Sequence, residues 1–232
     1  YICIKSNTMK KILTLLLVIT TLNSYSQTDS VLAYYKKVSR SSFNWDETTK
    51  KTVPNPNLQI KWYTDVFIYV NGEKEEYMIK EIEKVVGELN ELINPINIYI
   101  TDDPNKSNIE LFLGSGEEYR KTSLSYKGFM ESGKHRRPFG FFSYGGNNIR
   151  LTSGEILIDV FYIEEYGKDY EWDLYRVKNE IKCTIREEIT QILGLTYDTW
   201  DYPHSIFYEG KITPVIKYAN IDKELIKMLY NN

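Results

Sequence analysis

The sequence predicts an α+β domain, and three patterns carry that expectation. From Leu174 onward, Val177, Ile181, Ile185 and Ile192 recur at helical spacing, which stacks them on one side of an α-helix. Met78, Ile82, Val85, Val86, Leu89 and Leu92 repeat that period until Asn94-Pro95 stops it. Between these two long helices, Ile96, Ile98 and Ile100 alternate with other residues, as do Ile109, Leu111 and Leu113, which is the two-residue period of strands.

The remaining elements follow in chain order. Ser30 to Lys37 has the pattern of a short helix. Ser39 to Asn57 is polar, ends in Pro54-Asn55-Pro56 and reads as irregular, so residues 27–57 form a polar lead-in and residues 58–232 a single domain. Leu58 to Tyr63 and Val66 to Val70 are rich in β-formers and close on the turn Asn71-Gly72. Glu73 opens the first long helix. Thr101 to Ser107 is a loop, and Glu117 to Lys121 fits one helical turn. Thr122 to Arg137, rich in Gly, Ser and Lys, reads as a surface loop. Phe139 to Tyr144, Asn148 to Leu151 and Ile156 to Val160 are strand candidates, the first two separated by Gly145-Gly146. Phe161 to Tyr175, dense in Tyr, Trp, Glu and Asp, connects into the second long helix. Its aromatic residues either pack amphipathically or offer a surface to a sugar or a protein.

Upstream, Met9-Lys10-Lys11 precedes the apolar run Ile12 to Leu22, and Ser24-Tyr25-Ser26 supplies small residues where a signal peptidase reads them. Residues 1–26 are therefore expected to be upstream residues plus a signal peptide, cleaved between Ser26 and Gln27, and the protein exported to the periplasm or the extracellular space. The apolar run is short for a membrane span, so none is expected after cleavage. With Cys3 outside the mature chain, Cys183 has no intrachain partner and reads as a small packed residue. A net charge of −3 and dispersed basic residues, apart from Lys134-His135-Arg136-Arg137, give no footprint for nucleic acid.

The second long helix carries the polar site. At about 100° per residue, Glu188 falls between Val177 and Ile181 on the helical wheel, so a carboxylate sits inside the stripe that faces the core. Burial there removes water from the charged form, and Glu187 adds like charge, so a raised pKa is expected for Glu188. Glu187 and Gln191 are neighbours on the flank of that stripe. Gly194 then supplies the residue that ends a helix with positive φ, and Leu195 packs back.

Glu187-Glu188-Ile189-Thr190-Gln191-Ile192-Leu193-Gly194 resembles the zinc helix of the metzincin metallopeptidases, His-Glu-x-x-His-x-x-Gly-x-x-His. Counting from Gly194, Glu187 and Gln191 take the slots of the first two histidines, Tyr197 that of the third, and Glu188 that of the catalytic glutamate. A frame beginning at Arg186 puts Leu193 where the glycine belongs and is rejected. Ser205-Ile206-Phe207 resembles the turn beneath the metal, with Phe207 in place of methionine, and Asp222, Leu225, Leu229 and Tyr230 resemble the closing helix. The specific form, together with Ser205-Ile206-Phe207-Tyr208, is similar to the domain-of-unknown-function 2927 family of secreted bacterial proteins. The resemblance implies a zincin-like domain: a twisted mixed sheet, two long helices and a C-terminal helix.

Two functions stay open under that resemblance. In one, the ligands were lost and the protein is a degenerate, non-zinc pseudoenzyme, a binding or structural module for a protein, peptide or glycan partner. In the other, Glu187, Gln191 and Tyr197 or Asp198 hold a divalent cation and Glu188 is the general base of a metallopeptidase-like hydrolase. Oxygen donors of this kind suit Ca²⁺ or Mn²⁺ better than zinc. His204 reads as a loop residue.

Overall fold

The computed structural model describes residues 30–39, 41–46, 51–133, 137–147 and 149–231; the segment expected to be a signal peptide and the Lys134-His135-Arg136 run lie outside these. The element order is α1 (residues 30–38), β1 (Ser41–Asp46), β2 (Lys51–Gln59), β3 (Lys61–Trp62), β4 (Val66–Gly72), α2 (Glu76–Asn90), β5 (Ile98–Thr101), β6 (Ile109–Gly114), α3 (Gly116–Thr122), α4 (Leu124–Glu131), β7 (Gly140–Gly146), β8 (Arg150–Asp159), α5 (Val160–Asp169), α6 (Leu174–Gln191) and α7 (Asn220–Tyr230).

These elements make a mixed α/β fold around a mostly parallel sheet ordered β3-β8-β6-β4-β5. The register places β6 and β3 along one edge of β8 and β7, antiparallel, along the other. Separately, β1 and β2 form an antiparallel pair.

The two long helices arise where the apolar periods predict them. Met78, Ile82, Val85 and Leu89 of α2 and Val177, Ile181, Ile185 and Ile189 of α6 are buried in one core with Ile68, Leu111, Ile156 and Ile158 of the sheet. Their contact also carries a buried charge network. Arg186, wholly inaccessible to solvent, donates to Glu81 at 2.7 Å, ion-pairs with Glu88, and lies 4.5 Å from the ring centroid of Tyr218.

The end of α6 is tied down from two directions. Trp62 Nε1 donates to the Ile192 carbonyl at 2.9 Å and the Tyr230 hydroxyl to the Leu193 carbonyl at 2.8 Å, so the carbonyls beyond the last helical bond are satisfied by the core itself. Gly194 then takes φ 124°, and a Cβ there would lie 2.4 Å from the Ile60 carbonyl oxygen. Only glycine fits.

Several local expectations are corrected. The short helix expected over Ser30 to Lys37 is α1, with Tyr34, Tyr35 and Val38 buried in the main core, whereas the Ser39 to Asn57 stretch, expected to be irregular, is mostly β1 and β2. The surface loop expected over Thr122 to Arg137 contains α4, because Ser123 caps it by accepting from the Tyr126 amide at 3.0 Å. Tyr126 is thereby buried with Tyr119 and Leu157 in a second apolar cluster. The two strands expected around Ser153-Gly154 are one continuous β8. Gly154 is no break there; the Ile192 side chain takes the space its Cβ would need. Phe161 to Tyr175 is mainly helix α5, begun by Asp159 accepting from the Tyr162 amide at 3.0 Å.

Candidate functional site

The polar site sits on the last turns of α6, against the start of β7 and the chain between α6 and α7. Glu188 is 7% exposed, and its Oε2 is buried with no hydrogen-bond partner. Gly140 of β7 is packed against it, so closely that a Cβ at that position would come within 2.3 Å of Glu188 Oε1. Burial pushes the Glu188 carboxyl well above the usual range, and the charges of Glu187 and Asp198 push the same way. This agrees with the expectation drawn from the helical wheel.

On the flank of the stripe, Glu187 accepts from Lys211 Nζ at 2.6 Å. Gln191 donates its amide to Asp198 Oδ1 at 2.8 Å. Burial raises the Glu187 carboxyl and Lys211 opposes the rise. Burial and the neighbouring Glu187 push Asp198 up to about 8. Asp198 stands at the exposed rim, so water screens part of that effect. Burial alone would pull the Lys211 ammonium down, but Glu187, Cys183 and Asp198 together raise it.

The structure therefore gathers Glu187, Glu188, Gln191 and Asp198 around α6. Tyr197 is about half exposed, and its backbone N–H donates to the Val38 carbonyl at 3.1 Å. His204 is exposed. Cys183 is buried, its thiol pushed up to about 12 by burial first and Glu187 second, and it accepts from the Val215 amide at 3.3 Å. It is a packed residue, as the sequence reading expected.

Beyond Gly194 the turn is built as a hydrogen-bonded unit. Ser205 Oγ donates to Asp222 Oδ1 at 2.5 Å and accepts from the Tyr34 hydroxyl at 2.9 Å and the Phe207 amide at 3.0 Å. Ile206 and Phe207 are fully buried above it. Asp222 also accepts from the Ala219 amide at 2.8 Å, which starts α7.

Lys211 is the functional residue that reading the sequence missed. No local pattern marks it, since it lies on irregular chain far from the helix it serves. The available signal was charge balance: adjacent acids turned toward a core require a cation from elsewhere.

The donors do not fit a zinc centre. Zinc favours imidazole and thiolate, and the histidine slots hold a carboxylate committed to Lys211 and an amide turned N–H first toward Asp198. Among the described residues, no three His, Cys, Asp or Glu side chains converge on a metal-binding point.

A family model described as a protein of unknown function, DUF2927, matches residues 42–232. The chain belongs to the DUF2927 family. The match begins inside β1. Among solved structures, this DUF2927 chain is similar to myroilysin at 14% identity and a TM-score of 0.42, over 73% of this chain and 82% of that one. No curated protein matches the sequence.

Proposed function

We propose that this protein is an exported, zincin-like module that acts by binding, with the site on α6 serving as a structural and recognition network in place of a zinc centre. The observation that carries the reading is the paired commitment of the two histidine slots, Glu187 to Lys211 and Gln191 to Asp198. A catalytic zinc needs about three protein ligands and a free position for water, and this arrangement spends the first ligand on an ammonium. The partner class is a protein, peptide or glycan. Export follows from the Met9 to Ser26 segment, and no described helix is long and apolar enough to cross a membrane.

One observation favours a second reading. Glu188 Oε2 has no hydrogen-bond partner, and a buried carboxyl without one is a candidate general base or acid for a hydrolase. Elemental analysis of purified, untagged mature protein, together with a peptide-hydrolysis assay with and without chelator, separates the two. The binding reading expects metal well below one equivalent and no chelator-sensitive turnover. Stoichiometric metal with hydrolysis abolished by Glu188→Gln would overturn it.

A further inference from the structure

We infer that Lys211 is the resident cation of the α6 site: its ammonium does for Glu187 what a metal ion would do, holding the carboxylate and the chain around it without any metal. The inference rests on the reading of the site as metal-free and deepens it by naming what took the metal's place.

The geometry supports this at three points. Lys211 Nζ lies 2.6 Å from Glu187 Oε1, and the two side chains are only 13% and 16% exposed, so this is an internal ion pair and not a surface one. Gln191, one turn along α6 from Glu187, holds Asp198 at 2.8 Å, so the ammonium enters an otherwise acidic group, and the neighbouring carboxyls favour its charged form. Finally, the segment that delivers Lys211 is anchored on both sides. Upstream, the Thr199 amide donates to the Phe207 carbonyl at 2.8 Å and the Glu209 amide to the Thr199 carbonyl at 2.9 Å. Downstream, Arg176 near the start of α6 donates to the Ile212 carbonyl at 3.0 Å. The lysine is thus flanked by hydrogen bonds to the main chain on either side of it, the preorganisation an internal counter-ion requires.

A carboxylate-bound ammonium and a divalent cation compete for the same oxygens. Lys211 accordingly excludes metal from the wild-type site, and removing its charge exposes an oxygen-donor site for a hard cation, with Glu187 and Asp198 as the charged donors and Gln191 able to present its amide oxygen once Asp198 is engaged.

The test uses the full mature chain as wild type, Lys211→Met, and the double variant Lys211→Met with Glu187→Met. Each is followed by thermal unfolding and by calorimetric titration with Ca²⁺, Mn²⁺ and Zn²⁺ alone. Wild type should show no heat of binding and a midpoint unmoved by chelator. Lys211→Met should fall by about 10 °C, the cost of leaving a buried charge unpaired in a domain of this size, and should regain part of the loss with Ca²⁺ or Mn²⁺. The double variant, with an apolar pair in place of the ion pair, should recover stability and ignore cations. Tight binding of any of the three ions by wild type overturns the inference. So does a Lys211→Met protein that is as stable as wild type or blind to cations, and so does a double variant that fails to fold. A wild type that hydrolyses peptides without metal would defeat the binding reading and leave the role of Lys211 standing. A metal-free, inactive wild type whose Lys211→Met variant ignores cations would do the reverse.

Discussion

The Ser205 hydroxyl donates to Asp222 Oδ1 at 2.5 Å, and this one bond joins the turn that follows the polar site to the first turn of α7. Asp222 is fully buried and its carboxyl is raised by desolvation, with Ser205 the strongest opposing influence. Ser205→Ala removes that donor, leaves the Tyr34 hydroxyl and Phe207 amide without their acceptor, and is expected to cost about 1–3 kcal/mol. Urea unfolding of wild type and variant measures it. An unchanged midpoint would mean that the turn is held by its apolar neighbours alone.

The carboxyls of Glu187, Glu188 and Asp198 are all raised above their ordinary values, Asp198 to about 8. A raised folded pKa means that the folded state keeps a proton the unfolded chain releases near pH ~4. The associated stability is complete below that value and is lost as pH rises through the folded pKa. Wild-type stability should therefore decline from mildly acidic pH toward about 8, the value for Asp198. Glu188→Gln, which cannot ionise, should flatten the decline and be more stable than wild type at the alkaline end. Denaturant unfolding across that range decides it, and stability rising with pH would contradict the burial of these groups.

Arg186 offers a sharper contrast, because its two carboxylate partners differ in exposure. Glu81 is 6% exposed and Glu88 34% at the side chain, while Arg186 is at 0%. Glu81→Ala should cost about 3–5 kcal/mol by leaving a buried guanidinium short of a partner. Glu88→Ala, nearer to solvent, should cost about 1 kcal/mol or less. Equal losses in chemical denaturation would show that the network is not graded by burial.

Legibility in the sequence followed the reach of the interactions. The helices α2 and α6, the strands β5 and β6, the stop at Gly194 and the buried place of Glu188 all follow from residues a few positions apart, and periodicity finds such features. What was misread depends on distant partners or on small polar caps. Tyr34 of α1 is buried in the core with its hydroxyl donated to Ser205, far along the chain. Ser123 looked like loop composition and is the cap of α4. The candidate site divides in the same way: the α6 residues were legible, Asp198 was found as a neighbour of Tyr197, and Lys211 was invisible because it enters from irregular chain. Tyr197, assigned by register alone, is about half exposed, and its backbone N–H is bonded to the Val38 carbonyl.

The contact between Gly140 and Glu188 allows the position of Glu188 to be tested without reference to any activity. A Cβ at residue 140 would meet Glu188 Oε1 at 2.3 Å, Glu188 Cγ at 2.6 Å and Thr184 Cγ2 at 2.6 Å, closer than packed atoms tolerate. Gly140→Ala must therefore displace the Glu188 side chain or push β7 away from α6, an overpacking cost of about 1–3 kcal/mol. Glu188→Ala removes two of the three obstructing atoms and, with them, a buried carboxyl oxygen that has no partner. The double variant should then be more stable than the two single losses sum to, with a coupling of about 0.5–3 kcal/mol, the range for residues in direct contact. Equilibrium unfolding of the four proteins at one pH closes the cycle. Additive losses would place Glu188 away from Gly140 and undo the account of the site, since the same packing that crowds Gly140 is what strips water from the Glu188 carboxyl.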